Sequence, residues 1–131
     1  MNSFTKHIFI ICFALFSVSP LSAQIALELR PGHNDDLCPG FETVNEAVMD
    51  ISNMPPIVPS PNTNIEYYWI VQHEQGTWSW QTDSPARGFL IPFEGEYTLR
   101  CQVLYISLGD SYPYAAFWSS PMVIEAGGEC D

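Results

Sequence analysis

Few residues in this chain could do chemistry, and their spacing narrows the choices quickly. His33, Asn34, Asp35 and Asp36 follow Pro31-Gly32 and offer the oxygen ligands that calcium takes. Calcium needs about six to eight oxygens, and the acid spacing of an EF-hand with its distal glutamate is missing. Asp35 and Asp36 are therefore weak calcium candidates, and a solvated turn accounts better for the run. His73 and Glu74 could act as an acid–base pair only on a common face, whereas adjacent strand residues point to opposite faces. Ser107, Ser111, Ser119 and Ser120 lie in no GxSxG-type turn. Carboxylates are plentiful but no spacing singles out a pair. No catalytic residue and no cofactor is assigned, and the chain is expected not to be an enzyme.

The aromatic residues are the more informative set. In EYYWIVQHEQGTWSW, residues 66–80, Trp78 and Trp80 lie two apart and so share one face of a short strand. Tyr112, Tyr114, Phe117 and Trp118 cluster in LGDSYPYAAFW, which reads as an extended hairpin loop. Rings left outside a core would make a stacking surface near Asp110 and Glu74, suited to sugar or protein recognition. Trp78, Trp80, Tyr112, Tyr114 and Trp118 are thus the binding candidates. For Trp78 and Trp80 the competing expectation is that they cap one end of a core, because large apolar residues are usually buried.

The elements that would position these residues are strands. The chain's eleven prolines and eight glycines separate short apolar stretches rich in β-branched and aromatic residues. Strands are expected at 25–30, 43–52, 65–73, 77–82, 88–93, 96–106 and 116–125. In 43–52 a helical turn competes, since Val44, Ala47, Val48 and Ile51 also fit a helix face. Residues 54–64, MPPIVPSPNTN, read as a stiff proline-rich surface loop. In 65–73 one face carries Ile65, Tyr67, Trp69, Val71 and His73; in 96–106 one face carries Tyr97, Leu99, Cys101, Val103 and Tyr105. These two alternations are the strongest core pattern in the chain.

Residues 1–23 lie outside this pattern. MNSFTK supplies the single cation Lys6, HIFIICFALFSV is a short apolar run, and small residues follow up to Ala23. Such an arrangement reads as a secretory signal peptide cleaved after Ala23, since a membrane span needs about 20 apolar residues. What remains is one domain, 24–126, with a short tail at 127–131, expected to be secreted or at the cell surface (extracellular or periplasmic) and, once the leader is removed, soluble or held by partners rather than by the membrane. The chain carries a net charge of −11, and loses its one lysine with the leader, so it would be repelled by phosphate backbones and anionic lipid and nucleic acid is excluded as a partner. The charge otherwise marks a solvated surface.

Two motifs carry a family resemblance. Tyr67-x-Trp69-x-Val71 resembles the central-strand motif of PKD-type and related immunoglobulin-like domains of secreted bacterial surface proteins. Gly95-x-Tyr97-x-Leu99-x-Cys101-x-Val103 resembles their late-strand motif, and Cys38-Pro39-Gly40 resembles the opening before an early strand in some members. The sequence departs from the pattern where His73-Glu74-Gln75-Gly76 replaces a Gly-Asp-Gly turn. Tyr97 also stands four residues before Cys101, not at the antibody-type spacing of two. The expected fold is an all-β, immunoglobulin-like (PKD-like) antiparallel β-sandwich of about seven strands. The resemblance implies a non-catalytic adhesion or interaction module whose partner is an extracellular protein; a carbohydrate-binding module for an extracellular glycan and a structural spacer are the alternatives. Of the disulfide candidates Cys38, Cys101 and Cys130, the pair Cys38–Cys101 would tie the sheets together. Cys38–Cys130 competes, because the two positions can meet at one end of such a fold.

Overall fold

The computed structural model describes residues 25–31, 37–40, 46–53, 57–127 and 130. The expected leader, the calcium candidates Asp35 and Asp36, and the first residues of the expected strand 43–52 lie outside them. Along the described residues run β1 (Leu27–Pro31), β2 (Glu46–Ile51), β3 (Thr63–His73), β4 (Gly76–Thr82), β5 (Ala86–Leu90), β6 (Gly95–Ser107), β7 (Ala115–Trp118) and β8 (Met122–Ala126). They build two antiparallel sheets, one ordered β1-β2-β5 and the other β4-β3-β6-β7, with β8 also pairing with β6. The fold is all-β among the described residues, and its two sheets share one core in the manner of a β-sandwich.

Period-two alternation places that core. Trp69 lies opposite Cys101, and Tyr67 opposite Val103, across the β3–β6 ladder. Trp69, Val71, Tyr97, Leu99, Cys101, Val103 and Tyr105 are almost wholly out of solvent, while the intervening residues turn to the other face. The three-stranded sheet answers with Leu27, Ala47, Met49 and Phe89. In β2 alternation wins over the helical alternative: Ala47 and Met49 are buried and their neighbours are not. Strand geometry sends both into the shared core while the segment pairs with β1 and β5.

Polar atoms drawn into this core find partners. The Trp69 indole N–H donates to Thr82 Oγ1 at 2.7 Å, and that hydroxyl donates to the Ser84 carbonyl at 3.1 Å. The Tyr97 hydroxyl reaches back four residues, donating to the Phe93 carbonyl at 2.7 Å and accepting from the Phe93 amide at 2.9 Å. The turn into β6 is thereby clamped to the strand it feeds. Gly95, at φ 115°, sits inside this turn, where an L side chain would be strained.

Three expectations need correction. The stretch 116–125 is two strands, because β7 pairs with β6 through Gln102↔Trp118 whereas β8 resumes at Leu99↔Met122. Two residues of β6 therefore face three, Ser119, Ser120 and Pro121, which is a bulge. Pro121 has no amide to offer a ladder, and Ser119 fills the gap: its hydroxyl accepts from the Cys101 amide at 2.9 Å. The bulge reverses parity, so Phe117 points inward before it and Ile124 after it. The strand expected at 88–93 lies at Ala86–Leu90, its pairing with β2 ending at Glu46↔Leu90, ahead of Pro92.

The third correction is the disulfide. Cys38 pairs with Cys130, 92 residues away, and not with Cys101, which is a buried reduced thiol. Cys101 faces Trp69 in the middle of the core, whereas Cys38 belongs to a segment held at the end of β8 by Gly127 N–H donating to the Leu37 carbonyl at 3.2 Å. Cys130 is thus tied to the domain. Burial pushes the Cys101 thiol up to about 12 from 9.0 and raises the phenols of Tyr67, Tyr97 and Tyr105. These groups keep their protons in the folded state at pH values where the unfolded chain has lost them, so stability falls as pH rises. Thermal melts are expected to shift downward from about pH 9 toward 12, and less so in Cys101→Val than in the parent protein.

Candidate functional site

The five aromatic candidates do not form one surface. Trp78 and Trp80 lie on the inward face of β4, opposite Val71 and Trp69, half-buried against the edge of the core. Trp118 lies on the outward face of β7 opposite Gln102, with the Arg100 guanidinium 5.3 Å from its ring centre. Tyr112 and Tyr114 belong to the β6–β7 loop, beside the start of β3. Trp78 pairs eight residues along β3 from Thr63, about 27 Å away at strand rise.

Around Tyr112 and Tyr114 two loops meet, 57–62 before β3 and 108–114 after β6. Tyr114 knots them together: its hydroxyl accepts from the Ser60 amide at 3.0 Å and lies 2.9 Å from Thr63 Oγ1. The Thr63 hydrogen bond foremost, with those from Ser60, holds this phenol below its usual pKa. The buried Tyr105 adds a hydroxyl bond to the Ile57 carbonyl at 2.9 Å, and the Leu108 amide donates to the Asn62 carbonyl at 2.8 Å. Tyr114 also packs edge-on against Tyr105, ring centres 6.0 Å apart. The frame is held, yet the side chains it presents are apolar and exposed: Val58 at 90%, Tyr112 at 83% and Leu108 at 64%, with Ile57 beside them.

Trp78 and Trp80 have a different setting, a cleft of about 430 Å³ between the edge strands β4 and β5, which Arg87, Gly88 and Phe89 also line. The Arg87 guanidinium carbon stands 4.7 Å from the Trp80 ring centre, and Trp78 stacks on Phe93 at 6.3 Å. These tryptophans seal one margin of the core and also wall a cleft.

His73 offers no spare nitrogen. Its Nδ1 accepts from the Gln75 amide at 3.0 Å, so Nε2 carries the proton and donates to the Glu94 carbonyl at 2.8 Å. Its ring stacks on Phe93 and leans on Tyr97. Among the described residues no cluster of three or more His, Cys, Asp or Glu could hold a metal. No helix among them is long and apolar enough to cross a membrane.

Comparison with protein-family models and with curated proteins gives no match, so any function has to be argued from this geometry.

Sequence reasoning missed Ile57, Val58 and Leu108 at the loop end, and Glu46 and Arg87 at the cleft. The first two were visible as apolar residues inside a proline-rich loop, where solvation offers them no reason to be. Arg87 lies outside the expected strand 88–93, because β5 begins two residues earlier, at Ala86. Nothing local marks Glu46, which reaches the cleft only through pairing of β2 with β5.

Proposed function

We propose that this chain is an exported, non-catalytic, immunoglobulin-like (PKD-like) β-sandwich that works as an adhesion or interaction module, docking a partner protein through loops 57–62 and 108–114. The exposed apolar group of Ile57, Val58, Leu108 and Tyr112 on a hydrogen-bonded loop frame carries this reading. A loop backbone held in place before binding loses little freedom on contact, which favours affinity. Aromatic anchors are also the residues on which interfaces most depend. Pairing of β2 with β5 in one sheet and β3 with β6 in the other supports the immunoglobulin-like type. So does Tyr97, whose hydroxyl bonds the backbone just upstream of β6 as in a tyrosine corner. The net charge of −11 favours a partner whose contact face is apolar with a cationic rim.

A photo-crosslinking amino acid at position 112, followed by mass spectrometry of adducts from the surface of the producing cell, would recover the partner. Tyr112→Ala and Leu108→Ser are expected to weaken its binding at least tenfold with melting temperature unchanged, and raised salt to slow association. Unchanged affinity in both variants would reject the loop surface.

A further inference from the structure

The cleft between β4 and β5 lies far from those loops and carries different chemistry. Its rings, Trp78, Trp80, Phe89 and Phe93, form apolar walls, and two charged side chains enter among them, Glu46 and Arg87. Among the described residues the ion pair is Arg30–Asp50, and no carboxylate among them pairs with Arg87. Its Nε is shielded from solvent and makes no hydrogen bond; the guanidinium is held by the face of Trp80. Glu46 lies over Gly88, where a side-chain carbon would come within 2.2 Å of Glu46 Oε1. The missing side chain at position 88 is what lets the carboxylate occupy that place beside the cleft.

We infer that this cleft is a binding site for a neutral saccharide. A pyranose has an apolar C–H face that packs on aromatic rings and hydroxyls that both donate and accept. Glu46 supplies an acceptor and Arg87 a set of donors at fixed places between such rings. A volume of about 430 Å³ suits a ligand of a few sugar rings within the usual range for small-ligand sites. Glu46 in the cleft and the net charge of −11 disfavour polyanionic glycans. An apolar peptide strand laid on the open edge of β5 would direct its backbone groups to that edge, and its side chains would offer Glu46 and Arg87 no partner, whereas sugar hydroxyls satisfy both.

The test is an array of neutral and acidic polysaccharides, followed by tryptophan-fluorescence titration with neutral hexasaccharides of the class bound and with tetragalacturonate. Binding of at least one neutral class is expected, weakened tenfold or more in Arg87→Ala and in Glu46→Gln, a variant that keeps shape and is expected to keep the melting temperature. Tyr112→Ala is expected to bind as the parent protein does. A silent array, binding confined to acidic glycans, or full affinity in both cleft variants would overturn the inference. So would binding of an apolar extended peptide that Glu46→Gln leaves intact while no saccharide binds.

Discussion

Trp69→Ala is expected to destabilise the domain by about 3–5 kcal/mol, the usual cost of emptying a buried tryptophan site. The indole is fully enclosed and lies opposite Cys101 in the core, so its removal leaves a cavity there. Its loss also strips Thr82 Oγ1 of its indole donor. Since domains of this size hold only about 5–15 kcal/mol in total, the variant should be largely unfolded at moderate denaturant concentrations where the parent is folded. Trp69→Phe retains most of the apolar burial and is expected to recover more than half of the difference. Urea denaturation followed by circular dichroism measures both. A midpoint in Trp69→Ala within experimental error of the parent would mean that the ring is not in the core.

Cutting the disulfide should cost nearly as much. The Cys38–Cys130 link closes a loop of 92 residues, and loop-closure entropy puts its stabilisation at roughly 4–5 kcal/mol, with measured values for native bridges commonly 2–5 kcal/mol. Cys38→Ser with Cys130→Ser is expected to lower the melting temperature by on the order of 15 °C. Adding a reductant to the parent should reproduce the shift, and adding it to the double variant should change nothing. The effect should concentrate at the end of the fold where Leu37 and Gly127 meet, and amide exchange there should accelerate before it does in β6.

How far the sequence foretold this fold depended on what each segment packs against. β3 and β6 were legible because each presents apolar side chains at every second position to the same core, Trp69 and Cys101 among them, and nothing interrupts the ladder between them. The stretch 116–125 was not, because a bulge at Ser119–Pro121 reverses parity and is set by a hydroxyl bond to the Cys101 amide, a contact made 18 residues away. Connectivity of the cysteines was also beyond local reading: Cys38 and Cys130 lie outside the expected strands, and the meeting of Leu37 with Gly127 brings them to one end of the fold. Tyr112, Tyr114 and Trp118 are exposed and Trp78 and Trp80 half-buried, and their grouping was not legible. Trp118 leaves its neighbours Tyr112 and Tyr114 because strand alternation turns it to the outer face over Arg100. Trp78 and Trp80 gain their meaning from Glu46 and Arg87, which arrive on strands of the other sheet.

Both proposed contact regions depend on one arrangement, two sheets closed over Trp69 and Cys101 with the bridge at their end. Alkylating the native protein with iodoacetamide, then repeating the reaction in denaturant and mapping chymotryptic peptides without reduction, tests that arrangement most directly. A linked peptide joining Cys38 to Cys130, with Cys101 unmodified in the native protein and modified only after unfolding, is the predicted result. Cys101 found in a disulfide, or alkylated in the native protein as fast as a free thiol, would contradict it.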